Sequence, residues 1–145
     1  MKNFKSALLT LIQYTTMLYL ILAFPVLSEK SIAHIIQLSG ILLGIWSVVV
    51  MSKSKLNIAP VPRVGSYLIN AGPYRFIRHP MYLSLLLVIV PMMILNNSVV
   101  GWVVFGVFFI NLILKLSYEE QLLHQTFKNY SNYRQQTWRL IPYVY

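Results

Sequence analysis

The segment Gly72-Pro73-Tyr74-Arg75-Phe76-Ile77-Arg78-His79-Pro80-Met81-Tyr82 sets two arginines, a histidine and two tyrosines between apolar stretches. Ionisable residues against that much apolar sequence mark a site by default, because a bilayer makes them expensive. The chain holds three acids, and two are adjacent, Glu119-Glu120. Carboxylates and arginines on one membrane face can grip a zwitterion: a carboxylate holds an ammonium, while an arginine binds a carboxylate in bidentate fashion. Each group also has a structural reading when taken alone. Arg75 and Arg78 can anchor the interface by snorkelling. His79 can cap the helix that Pro80 opens, and Glu120 stands four residues before His124, the spacing of a solvated helix face.

Residue types exclude other chemistries. The absence of cysteine removes disulfides, thiolate metal sites and cysteine nucleophiles. There is no aspartate, and hence no Ser-His-Asp set; P-loop and GxGxxG patterns are also missing. No second histidine lies at metal-ligand spacing from His79, and His34 falls on the opposite membrane face, so no metal site is expected.

The elements that must position these residues follow from hydropathy. Of 145 residues, 57% are hydrophobic and 10% charged, against about 25% charged in soluble domains. The expectation is an all-α integral membrane protein, a single domain over 1–145, with about four spans of roughly 20 residues each. The apolar runs place helices at about 7–27, 32–51, 81–95 and 99–116, a loop over 52–80 and a tail over 117–145. The first run is too long for a signal-peptide core and ends at Phe24-Pro25. Ser28-Glu29-Lys30-Ser31 reads as a turn. The second run carries Gly40 and Gly44 at the small-xxx-small spacing that lets helices approach closely; packing within the bundle is the plainer use, and homodimerisation is permitted. Lys53, Lys55, Pro60, Pro62 and Arg63 lie in the long connection before Arg75 and Arg78. Runs three and four, joined at Asn96-Asn97-Ser98, predict a helical hairpin short for a bilayer. The aromatic and basic tail suits the membrane interface.

With four spans, both termini and the long loop share one side, which holds eleven of the twelve basic residues; only Lys30 lies opposite. That side is cytoplasmic by the positive-inside rule. The net charge of +9 is thus a topology signal with some attraction to anionic lipid, and no nucleic-acid partner is expected. Short turns and compact size point to a prokaryotic inner membrane, and a eukaryotic endoplasmic reticulum location also fits the topology.

Leu68-Ile69-Asn70-Ala71-Gly72-Pro73-Tyr74-Arg75-Phe76-Ile77-Arg78-His79-Pro80-Met81-Tyr82 resembles the signature of the isoprenylcysteine carboxyl methyltransferase family, which is related to the membrane phospholipid N-methyltransferases. A second signature of that family is similar to Tyr118-Glu119-Glu120-Gln121-Leu122-Leu123, then Phe127, Tyr130-x-x-Tyr133 and Arg139-Leu140-Ile141-Pro142. The resemblance covers the chain from about Pro60 onward. It implies S-adenosylmethionine bound in a cytoplasm-facing pocket built from both segments, with a lipid-soluble or amphipathic acceptor arriving laterally. Carboxylate, amine and thiol acceptors all remain open. Carried over residue by residue, Gly72, Tyr74, Arg78, His79, Pro80 and Tyr82 would line the cofactor. Glu119 and Glu120 would reach its amino-acid end, Glu120 at the ammonium. Tyr82, Arg134 and Arg139 are the catalytic candidates, although the two arginines also read as headgroup binders. Methyl transfer is an in-line displacement that needs orientation and desolvation rather than a protein nucleophile. The family pattern usually reads RHPxYxG, often followed by an acid, whereas here Ser84-Leu85 follows Leu83. Serine is small enough to keep close packing. The missing acid argues against the related sterol reductases, which use NADPH. A reductase and a non-catalytic membrane adaptor are the competing readings.

Overall fold

A computed structural model describes residues 2–25, 31–53 and 68–144. The turn at Ser28-Glu29-Lys30 and the stretch holding Lys55, Pro60, Pro62 and Arg63 lie outside the described residues. The described elements are α1 (Lys2–Ala23), α2 (Ser31–Ser52), α3 (Pro80–Asn96), α4 (Val99–Thr126) and α5 (Tyr130–Gln135), with a 3-10 turn over Gly72–Arg75 ahead of α3. The protein is all-α. α1, α2 and α4 are long and apolar enough to cross a membrane, and α3 is a shorter apolar helix of 17 residues.

Local sequence sets the boundaries around the site. Gly72 adopts a left-handed φ of 56°, and a Cβ there would come within 2.9 Å of Val50 and 3.2 Å of the Trp46 indole nitrogen. Only glycine satisfies both demands. Pro80 occupies the first turn of α3, where its missing N–H costs nothing. Asn97 closes α3 in the left-handed conformation, and the Ser98 hydroxyl caps α4 by accepting from the Gly101 N–H at 3.3 Å. α4 is not short: it runs past Leu116 without a break and carries Glu119 and Glu120 inside a 28-residue helix.

α3 and α4 form a helical hairpin joined through Asn97-Ser98, while the closest backbone approaches fall in two other helix pairs. α2 packs on α3, α1 packs on α4, and the backbones of α3 and α4 stay further apart. The α2–α3 seam depends on small residues. A Cβ on Gly40 would sit 2.7 Å from the Leu87 Cβ, and one on Gly44 would sit 3.0 Å from the Ser84 hydroxyl. The glycine pair therefore packs inside the chain, against the serine that departs from the family pattern. Ser84 fits there because its hydroxyl turns back to the Met81 carbonyl at 2.7 Å. Between α3 and α4 lies a layer of large side chains, including Ile89, Met92 and Met93 against Phe108, Leu112 and Leu116. Outward-facing leucines and valines such as Leu18, Leu42, Val103 and Leu114 are exposed. So much exposed apolar surface belongs in lipid, not in water.

Candidate active site

The two signatures meet where the head of α3 reaches α4. Arg78 and His79 arrive on the short stretch after the 3-10 turn, and Tyr82 follows in the first turn of α3. The Arg78 Nε donates to Glu120 Oε1 at 2.7 Å, and both side chains are about nine-tenths buried. Arg139 approaches the other oxygen of the same carboxylate, Nε to Oε2 at 3.1 Å, and also donates to the Ser117 hydroxyl at 2.8 Å. Glu120 is thus held between two guanidinium groups. Its pairing with His124 does not occur; His124 lies instead beside the Ser131 hydroxyl, at 3.3 Å.

Glu119 has different company. Tyr82 donates its phenol O–H to Glu119 Oε1, and His79 Nδ1 stands 3.8 Å from Oε2. His79 occupies the N-cap position of α3, yet its side chain makes no capping bond. Its ring is buried, stacks on Tyr82 at a centroid distance of 5.6 Å, and points Nε2 to within 3.4 Å of Glu120. The imidazole therefore lies between the two carboxylates.

The tail folds back over this cluster. Trp138 donates its N–H to the Phe76 carbonyl at 2.9 Å, and the Arg78 N–H donates to the Trp138 carbonyl at 2.8 Å. The Arg78 guanidinium also donates to the carbonyls of Arg134, at 3.0 Å, and Thr137. Leu140 is buried in the main core. One arginine thus fastens α4 and the tail to the head of α3. Arg134 contributes that carbonyl while its side chain is exposed. Arg75 is exposed too.

Three tyrosines close the far wall. Tyr133 donates to the Tyr74 carbonyl at 2.7 Å, and its ring lies 6.0 Å from that of Tyr130. Tyr74 and Tyr130 are buried to 4% and 1% exposure, and their hydroxyls have no hydrogen-bond partner among the described residues. Burial pushes the phenols of Tyr74, Tyr130 and Tyr133 above the usual tyrosine range, with Glu119 beside Tyr74 and Glu120 beside the other two adding to the effect. All three stay neutral donors at physiological pH. Buried donors without acceptors normally call for a ligand or ordered water.

Tyr74, Arg78, His79, Tyr82, Glu119, Glu120 and Arg139 therefore form one cluster. Pro80 is a buried helix start, and Gly72 faces α2. Sequence reasoning missed Lys115, which is 2% exposed and donates to Gln13 Oε1 of α1 at 2.7 Å. The signal was a lone cation at the end of an apolar run, and it was absorbed into the topology count. Gln13 and Asn111 were not noticed at all, although polar residues inside spans are scarce.

The cluster's chemistry, carboxylates with buried neutral phenol donors and aromatic rings, is of the kind that would suit S-adenosylmethionine. No curated protein and no solved structure matches the chain. The model of the family described as phospholipid methyltransferase matches residues 29–130, taking in the RHP segment and the glutamate pair and ending at Tyr130. The chain belongs to the phospholipid methyltransferase family.

Proposed function

We propose that the protein transfers a methyl group from S-adenosylmethionine to a lipid-soluble or amphipathic acceptor, in a pocket facing the cytoplasm. The observation that carries this reading is the buried cluster of Glu119 and Glu120 with Arg78, His79 and Tyr82. It lies where two membrane helix pairs meet, with two unpartnered phenols at its wall. When bound, the cofactor supplies an electrophilic methyl on a sulfonium.

The chain's own residues hold and orient. Glu120 is already matched by Arg78 and Arg139, so the ammonium assignment moves to Glu119, whose neighbours are a phenol and an imidazole. Tyr74 and Tyr130 offer hydrogen bonds to the cofactor's polar atoms. The folded-back tail excludes water, which strengthens each of these contacts.

The acceptor's apolar part has a place to lie. A groove of about 860 Å³ runs between α2 and α3, lined by Ile36, Leu83, Leu87, Val90, Ile94 and Ile141 among others. This volume is in the range of small-molecule sites. Leu83 adjoins Tyr82, and Ile141 lies two residues beyond Arg139, so a chain in the groove carries its head group toward the cluster. Arg139 and Tyr82 are the residues proposed to meet that head group.

The test is calorimetric titration of detergent-purified protein with S-adenosylhomocysteine, with NADPH run in parallel. Saturable S-adenosylhomocysteine binding, weakened about tenfold or more by Glu119→Gln, is the expected result. Binding of NADPH alone would make the protein a reductase. Binding of neither would favour the adaptor.

A further inference from the structure

Glu120 is held by two arginines, but no arginine pairs with Glu119 among the described residues. A lysine stands near Glu119 instead. Lys115 precedes it by four residues on α4, the spacing at which helix side chains meet. Its ammonium is held from both sides. It donates to Gln13 Oε1 at 2.7 Å and lies 5.8 Å from the centroid of the Tyr82 ring, the tyrosine whose hydroxyl donates to Glu119. One turn deeper, Asn111 donates to the Leu9 carbonyl at 2.9 Å, so Lys115 ends a polar column along the α1–α4 seam. That column recruits α1, which lies outside the matched residues 29–130.

A fully buried lysine is costly and needs a compensating charge. If its role were only to pin α1, a neutral amide like Asn111 would serve. Lys115 instead sits one helical turn before the carboxylate that lacks an arginine, over the ring of the tyrosine that donates to it. An uncompensated carboxylate in such a place is neutralised rather than kept charged, and a neutral acid offers little to an ammonium.

We infer that Lys115 is a positioning residue for the amino-acid end of the cofactor: it supplies the counter-charge, anchored on Gln13 of α1, that keeps the Tyr82–Glu119 pair ready to receive an ammonium. The inference rests on the cofactor reading given above. Its test compares two probes, S-adenosylhomocysteine and 5′-methylthioadenosine, which shares the adenosine and sulfur but lacks the amino-acid end. Lys115→Gln removes the charge and keeps a donor; Lys115→Arg keeps the charge. In Lys115→Gln, S-adenosylhomocysteine binding should weaken by about tenfold or more while methylthioadenosine binding stays within about twofold, and Lys115→Arg should restore the first.

A Lys115→Gln protein that binds like the parent overturns the inference. So does equal weakening of both probes, or an arginine variant that falls as far as the glutamine one, since either result makes Lys115 a mere strut. If Lys115→Gln cannot be purified folded, Lys115→Arg decides alone: parent-like affinity for S-adenosylhomocysteine supports the inference, and its loss refutes it. An unaltered protein that fails to bind S-adenosylhomocysteine brings down the cofactor reading itself, which separates the two failures.

Discussion

The two helix pairs are held by the same means in different proportion. α2 and α3 meet mainly through absence: Gly40 and Gly44 present no side chain, the backbone and side chains at Ser84 and Leu87 fill the space, and one side-chain bond crosses, from Gln37 to the Val88 carbonyl at 3.3 Å. α1 and α4 meet through presence: Asn111 and Lys115 reach across to the Leu9 carbonyl and to Gln13. In lipid neither seam gains from expelling water, so each must supply either contact area or hydrogen bonds. The small-residue seam leaves an apolar groove on its flank. The polar seam delivers a charge to the edge of the site. What joins the pairs at that end is the cluster itself, with Arg78 and His79 from one pair set against Glu119 and Glu120 from the other.

The sharpest way to break this picture is at the join. Glu120→Gln leaves two largely buried guanidinium groups without their carboxylate and should cost about 3–5 kcal/mol, read as a large drop in thermal midpoint in detergent. An unchanged midpoint would mean that the pairs do not depend on this contact. A smaller effect separates a glycine inside a seam from one outside it. Gly40→Ala drives a Cβ to within 2.7 Å of Leu87 and should destabilise by about 1–3 kcal/mol. Gly106→Ala, on α4 where a Cβ meets nothing within 4 Å, should instead stabilise by up to about 1 kcal/mol. If the two alanines behave alike, close approach is not what holds α2 to α3. The smallest effect belongs to the polar seam. Asn111→Leu removes one interhelical hydrogen bond and should cost about 1 kcal/mol in the same melting measurement; a loss as large as that of Glu120→Gln would give this seam more weight than a single bond carries.

Much of this was legible beforehand. The apolar runs marked the helices, Pro80 marked the start of α3, and the spacing of Arg78-His79-Pro80-x-Tyr82 and Glu119-Glu120 marked the residues that meet. Hydropathy reports how deep a residue sits and not which neighbour it faces. That is why the turn at Asn96-Asn97-Ser98 was legible, while the layer of large side chains that spaces α3 from α4 was not. For the same reason Lys115 was counted as a charge on a membrane face and not as a partner of α1. Capping was the structural reading of His79 from its place before Pro80, a local argument, while its ring lies between two carboxylates distant in sequence. The tail's composition suits the interface, but composition cannot show that Tyr130 and Leu140 fold inward.

The adjacency of Glu119 and Glu120 has a rotational consequence. Consecutive residues on a helix diverge by about 100°, so two identical acids serve two different directions, one toward Tyr82 and the other toward the paired arginines. They are not spares for one another. A single-residue insertion in the apolar part of α4 would leave its hydropathy almost unchanged, yet it would turn both acids by that angle relative to α1 and α3. Composition tolerates such a change; azimuth does not.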